Sequence, residues 1–195
     1  MGFFYRIGQY LSAVRAELFG AGGEEYIARY LSEDEQRLWR TQKAPDRAHS
    51  LNVARTADEL KDNLPEGLTE EERTVLLKAA LLHDVGRGEF GSSLAKSLAV
   101  LLTKFGCGGD NKKTDAKRRP ETPEEFSGNG YRANLMYHYY CHAEIGAKLL
   151  ADAYHKNGEL SEAEKRIIHL VEHHRDEKAG DDRLLKLLIK ADRMN

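Results

Sequence analysis

Apolar residues recur along this chain every three or four positions, the spacing that gathers them on one face of an α-helix. Phe4, Ile7, Leu11, Val14 and Leu18 form the first such stripe, and Leu184, Leu185, Leu188 and Ile189 form the last. No segment alternates convincingly with the period of two that marks a strand. Three pairs have the Ser/Thr-x-x-Glu spacing of a capping box: Ser32 with Glu35, Thr69 with Glu72, and Ser161 with Glu164. The pattern predicts helices over Pro45–Asn63, Glu70–Asp84, Leu94–Phe105, Tyr131–His155, Glu162–Arg175 and Asp182–Met194. The expected fold class is an all-α bundle with an extra amphipathic helix at its N-terminus.

One segment breaks the pattern. Residues 106–130, "GCGGDNKKTDAKRRPETPEEFSGNG", are rich in Gly, Pro and charge and have little to bury. They are expected to form a flexible insertion, a solvated surface loop rather than a lid. Its cations Lys112, Lys113, Lys117, Arg118 and Arg119 would still suit an anionic substrate if it closed over one. The expected organisation is a helical extension over 1–31 and a domain over 32–195. The first helix would pack on the domain or on a second subunit, which makes a homodimer one expected assembly.

Composition narrows the function. At 195 residues and 41% hydrophobic the chain can build a real core, and a net charge of -2 argues against a general nucleic-acid or membrane binder. No apolar run approaches the roughly 20 residues of a membrane span. The two cysteines, Cys107 and Cys141, form no disulfide framework, and the start lacks the features of a signal peptide, so a cytoplasmic setting is expected.

The candidate chemistry lies in histidines and aspartates set on or beside apolar stripes: His49 in "PDRAHSLNVARTA", His83 and Asp84 in "AALLHDVGRGEFG", His142 in "YYCHAEIGAKLL", His173 and His174 in "IIHLVEHHRDE", and Asp192 in "LLIKADRMN". A lone buried carboxylate is costly, and one bound to a metal ion is not. Imidazoles and carboxylates converging from several helices are how helical bundles build metal sites. This donor set suits Fe, Mn, Zn, Co or Ni, and the lack of thiolates argues against a structural zinc knot. An adjacent His-Asp pair can serve two ions when each carboxylate oxygen binds one. A water bridging two cations becomes a usable hydroxide near neutral pH. His138 shares a helical face with His142 and is expected beside the ligands. His169 is expected to be a packing or surface residue, and His155 to sit at an exposed helix end.

The order His, His-Asp, His, His, Asp, carried by "RAHSLNVARTA", "AALLHDVGR", "HAEIGAKLL", "EHHRD" and "ADRMN", resembles the HD superfamily of metal-dependent phosphohydrolases. That resemblance implies an HD-domain helical bundle. It implies that His49, His83, Asp84 and Asp192 hold a first metal, that Asp84 bridges, and that His142 and His173 complete a second site, with His174 auxiliary. Two divalent transition-metal ions are implied, Fe or Mn favoured and Zn, Co, Ni or Mg also compatible. Arg87 stands where the family commonly has lysine, and either meets substrate phosphate or pairs with a helix end. Asp84 and Arg87 are the expected catalytic residues. No Gly-Tyr-Pro follows "EHHRD", which removes the main reason to expect cyclic di-GMP hydrolysis. The expected activity is hydrolysis of a phosphomonoester or phosphodiester, with a small, nucleotide-like substrate. A mixed-valent di-iron oxygenase and a non-catalytic metal-binding signalling module are the alternatives.

Overall fold

A computed structural model describes residues 23–61, 67–88, 131–156, 158–176 and 179–195, with the side chains of 131–133 excepted. The expected N-terminal amphipathic helix, the helix over Leu94–Phe105 and the insertion over 106–130 lie outside these residues. Among the described residues the elements are α1 (Glu24–Tyr30), α2 (Glu33–Arg40), α3 (Ala44–Leu60), α4 (Glu70–Leu82), a 3-10 turn (Val85–Arg87), α5 (Tyr131–Tyr140), α6 (His142–His155), α7 (Glu162–His173) and α8 (Arg183–Met194). No strand occurs among them, so the all-α expectation is borne out.

All three capping boxes form. Ser32, Thr69 and Ser161 each accept the backbone N–H three residues on, and the glutamate there accepts the cap's own N–H in return. They fix the starts of α2, α4 and α7 and satisfy two otherwise orphaned donors each. Glu72 also receives Arg183, which ties the start of α4 to the start of α8.

The core is one cluster. Helix α3 packs on α4, α4 on α7, α7 on α6 and α8 on α3, around Val53, Leu76, Leu81, Leu150, Leu170 and Leu188. Ile27 and Leu31, which lie on the N-terminal side of the expected boundary after residue 31, belong to the same core, so α1 packs against the helices that follow it. Buried Trp39 donates its indole N–H to Ser50 Oγ at 3.0 Å. Glu35, also buried, accepts from Lys78 Nζ at 2.8 and 2.9 Å and from the Tyr154 hydroxyl at 2.6 Å. These polar ties join α2 to α3, α4 and α6.

The expected single helix over Tyr131–His155 is two. The chain leaves helical geometry at Cys141 (φ -106°, ψ 12°), and α6 begins at the next residue. The apolar period runs unbroken through the bend, so pattern alone could not show it. Helix α4 likewise stops at Leu82, leaving His83 as its cap and Asp84 at the head of the 3-10 turn. That turn lies on α6 in very close contact. A Cβ added at Gly86 would fall 1.9 Å from the His142 carbonyl oxygen and 2.5 Å from Gly146 N. Only glycine allows this approach.

Candidate metal centre

Three of the predicted histidines are set by one local device. His83, His142 and His174 each follow a helix end or bend, and each donates its Nδ1–H to the carbonyl three residues back: Ala80 at 2.7 Å, Tyr139 at 2.8 Å and Val171 at 2.6 Å. Carbonyls at a helix end lack intrahelical partners. A carbonyl can only accept, so each Nδ1 carries a proton and Nε2 is turned to the interior, with its lone pair available where the imidazole is neutral.

These Nε2 atoms converge on Asp84, whose side chain is fully buried. Its Oδ2 lies 3.4 Å from His83 Nε2 and 4.0 Å from His49 Nε2. Its Oδ1 lies 3.3 Å from His142 Nε2 and 4.0 Å from His174 Nε2. Asp192, reaching in from α8, closes the first side: its Oδ1 stands 2.9 Å from His49 Nε2 and 3.6 Å from His83 Nε2. On the second side His142 and His174 face each other with their Nε2 atoms 3.2 Å apart. The two carboxylate oxygens of Asp84 therefore look toward two different sets of imidazoles.

The expected site residues do not all meet here. His49, His83, Asp84, His142, His174 and Asp192 are brought together. His173 instead points outward from the last turn of α7, over a third exposed, with its Nδ1–H on Asp176 Oδ2 at 2.8 Å. His138 donates to the Gly86 carbonyl at 3.3 Å and so holds the turn beside the ligands. His155 is exposed at the end of α6. Arg87 sets Nε 3.0 Å from Asp84 Oδ1 and Nη1 3.4 Å from Asp46 Oδ1. Sequence reading missed Asp46, a buried carboxylate. The available signal was its place three residues before His49, on the same face of α3.

The charges follow from burial and proximity. Burial works against a proton on His83, but the carboxylates of Asp84 and Asp192 outweigh it and raise the residue to about 9. Burial, with His83 close by, lowers His174 to about 4. Burial and then the Arg87 cation push His142 well below its ordinary value. Burial would raise Asp84, but Arg87 and the surrounding histidines hold it well below the carboxylate range. Asp192 is depressed against its burial by the hydrogen bond from His49 and the nearby charge of His83. Two neutral imidazoles and two carboxylates are thus available near neutral pH.

The donor set fits metal ions. Buried His83 Nε2 and both oxygens of Asp84 make no hydrogen bond, although the Arg87 and His83 charges lie beside the carboxylate, which leaves these donors available to ions. His142 and His174 turn their Nε2 atoms to each other at 3.2 Å while each Nδ1 serves a carbonyl, an arrangement that suits a cation between them. Ligand bonds of about 2.0–2.1 Å put two ligands of one ion about 3–3.4 Å apart, close to the spacings of 2.9, 3.3, 3.4 and 3.6 Å found here. His49, His83 and Asp192 form one candidate ligand group, and His83, Asp84 and His174 another.

A family model described as the HD domain matches residues 47–195, which takes in the first histidine helix, the His-Asp turn and the closing aspartate. No curated protein and no solved structure matches the chain. With the match spanning most of the sequence and His49, His83, Asp84 and Asp192 gathered in one centre, the chain belongs to the HD domain family.

Proposed function

We propose that this protein is a metal-dependent phosphohydrolase that cleaves a phosphomonoester or phosphodiester, with a small nucleotide-like substrate. The carrying observation is the set of buried donors without hydrogen-bond partners, His83 Nε2 and both oxygens of Asp84. In this reading His49, His83, Asp84 and Asp192 hold one ion. Asp84 shares its other oxygen with a second ion held by His142 and His174. His174 takes the place that the sequence pattern offered to His173. Fe or Mn suits the nitrogen and oxygen donors. Bound ions would supply a water activated near neutral pH and positive charge for the phosphoryl oxygens.

The protein's own groups prepare that chemistry. The backbone carbonyls hold three rings with Nε2 turned to the site before any ligand arrives. Arg87 acts through Asp84: engaged by both Asp84 and Asp46, it steadies the shared carboxylate and is a positioning residue. His83, Asp84, His142 and His174 are closed off from water, while His49, Asp192 and Arg87 keep about a fifth of their side-chain surface. Substrate approaches on that rim. A cytoplasmic setting suits the buried, reduced thiol of Cys141.

The test is turnover. Protein loaded with Mn or Fe, with its metal content measured, is offered aryl phosphate mono- and diesters and a nucleotide panel. Hydrolysis that disappears in Asp84→Asn supports the reading. No turnover with any metal, alongside proven loading of two ions, overturns it. Iron-specific oxygen consumption would replace it with the oxygenase.

A further inference from the structure

Helix α7 carries a second histidine pair that the buried centre does not use. The segment His169-Leu170-Val171-Glu172-His173 puts two imidazoles one turn apart with a glutamate beside the second, a spacing able to chelate a metal from one helical face. The two rings lie 4.5 Å apart. Their side chains are 45% and 37% exposed, so both are open to an ion from solvent.

A carboxylate faces the pair from the next helix. Asp182 caps α8. Its Oδ1 is occupied by the Leu185 N–H at 3.0 Å and by Arg166 at 2.5 Å. Its Oδ2 is turned to His169 Nε2 at 3.6 Å. The hydrogen bonds from Arg166 and the Leu185 N–H, set against burial, keep this carboxyl ionised. His173 donates Nδ1–H to Asp176, which leaves its Nε2 lone pair outward, 3.8 Å from Glu172 Oε2. A carboxylate behind the imidazole is the usual support of a metal-ligating histidine. Gaps of 3.6 and 3.8 Å are too long for hydrogen bonds. The 3.6 Å gap between His169 and Asp182 approaches the roughly 3.4 Å between two ligands of a tetrahedral zinc ion.

We propose that His169, His173 and Asp182 form a second, solvent-facing site for a divalent borderline cation such as Zn, separate from the buried centre. The ion would tie the last turn of α7 to the first turn of α8. This inference does not depend on the phosphohydrolase reading.

The experiment counts zinc on the full chain, by elemental analysis and by competition with a chromogenic chelator. Wild type is compared with His169→Ala, with Asp182→Asn, which keeps the helix cap, and with His83→Ala. His169→Ala is expected to lose one equivalent of zinc, with unchanged circular dichroism and an unchanged buried centre. Asp182→Asn is expected to weaken that equivalent about tenfold or more. His83→Ala is expected to keep it while losing metal from the buried centre. Wild-type zinc stoichiometry and affinity in either His169→Ala or Asp182→Asn overturns the three-residue site.

Discussion

At the scale of single residues, the choice between His173 and His174 is decided by where α7 ends. Neighbouring helical residues point about 100° apart, so only one of the two can face the centre. His174, as the cap, turns inward and reaches the carbonyl of Val171. His173 stays on the outer face. His174→Ala is expected to abolish metal binding in the second half of the centre, while His173→Ala leaves the buried ions in place. Elemental analysis of both substitutions in a His169→Ala background, where the outer pair is already broken, decides it. Protonation gives a second prediction. Below about pH 9, His83 holds a proton that an ion must displace. His174, near 4, and His142, lower than usual, hold none at neutral pH. Metal affinity should therefore rise about tenfold per pH unit from pH 6 and level off near 9, with about one proton released per protein on loading. Titrations in buffers of differing ionisation enthalpy would show both. A pH-independent affinity would place that proton elsewhere.

At the scale of elements, legibility in the sequence was uneven for identifiable reasons. Capping boxes and apolar stripes are local, and they located α2, α4, α7 and α8. The break at Cys141 is not local, because both halves continue the same apolar period. It coincides with the close contact of the 3-10 turn, whose Gly86 lies against the first turn of α6. Asp46, Glu35 and Lys78 were hidden for a related reason. Each looks like a surface charge until its partner on another helix is in view. Gly86→Ala tests the contact. The added methyl meets backbone on the α6 side, which cannot move aside as a side chain can. A loss of about 1–3 kcal/mol is expected. Thermal unfolding should shift down by several degrees, and metal content should fall with it, since the same turn carries Asp84.

At the scale of the molecule, two polar assemblies serve different ends. The Glu35–Lys78–Tyr154 group is fully partnered and joins α2, α4 and α6. Glu35→Ala leaves the buried Tyr154 hydroxyl and Lys78 without their acceptor. It should cost about 2–4 kcal/mol, read by denaturant unfolding, with metal stoichiometry unchanged. The Asp84 group is incompletely partnered by protein alone. The first can be strengthened or weakened without touching the chemistry, and the second cannot.

The helix ends around that group have one further effect. His83 caps the C-terminus of α4, His174 caps the C-terminus of α7, and Asp192 lies in the last turn of α8. Three helix C-terminal ends thus supply residues to the site, where Asp84 and Asp192 are already ionised, against the one N-terminal end of α6 at His142. A pocket with those charges repels phosphate until it has taken up cations. On the proposed function, binding is expected to be ordered, ions first and anion second. Chelator-stripped protein should show no measurable affinity for inorganic phosphate in calorimetry, and affinity should appear once the ions are restored.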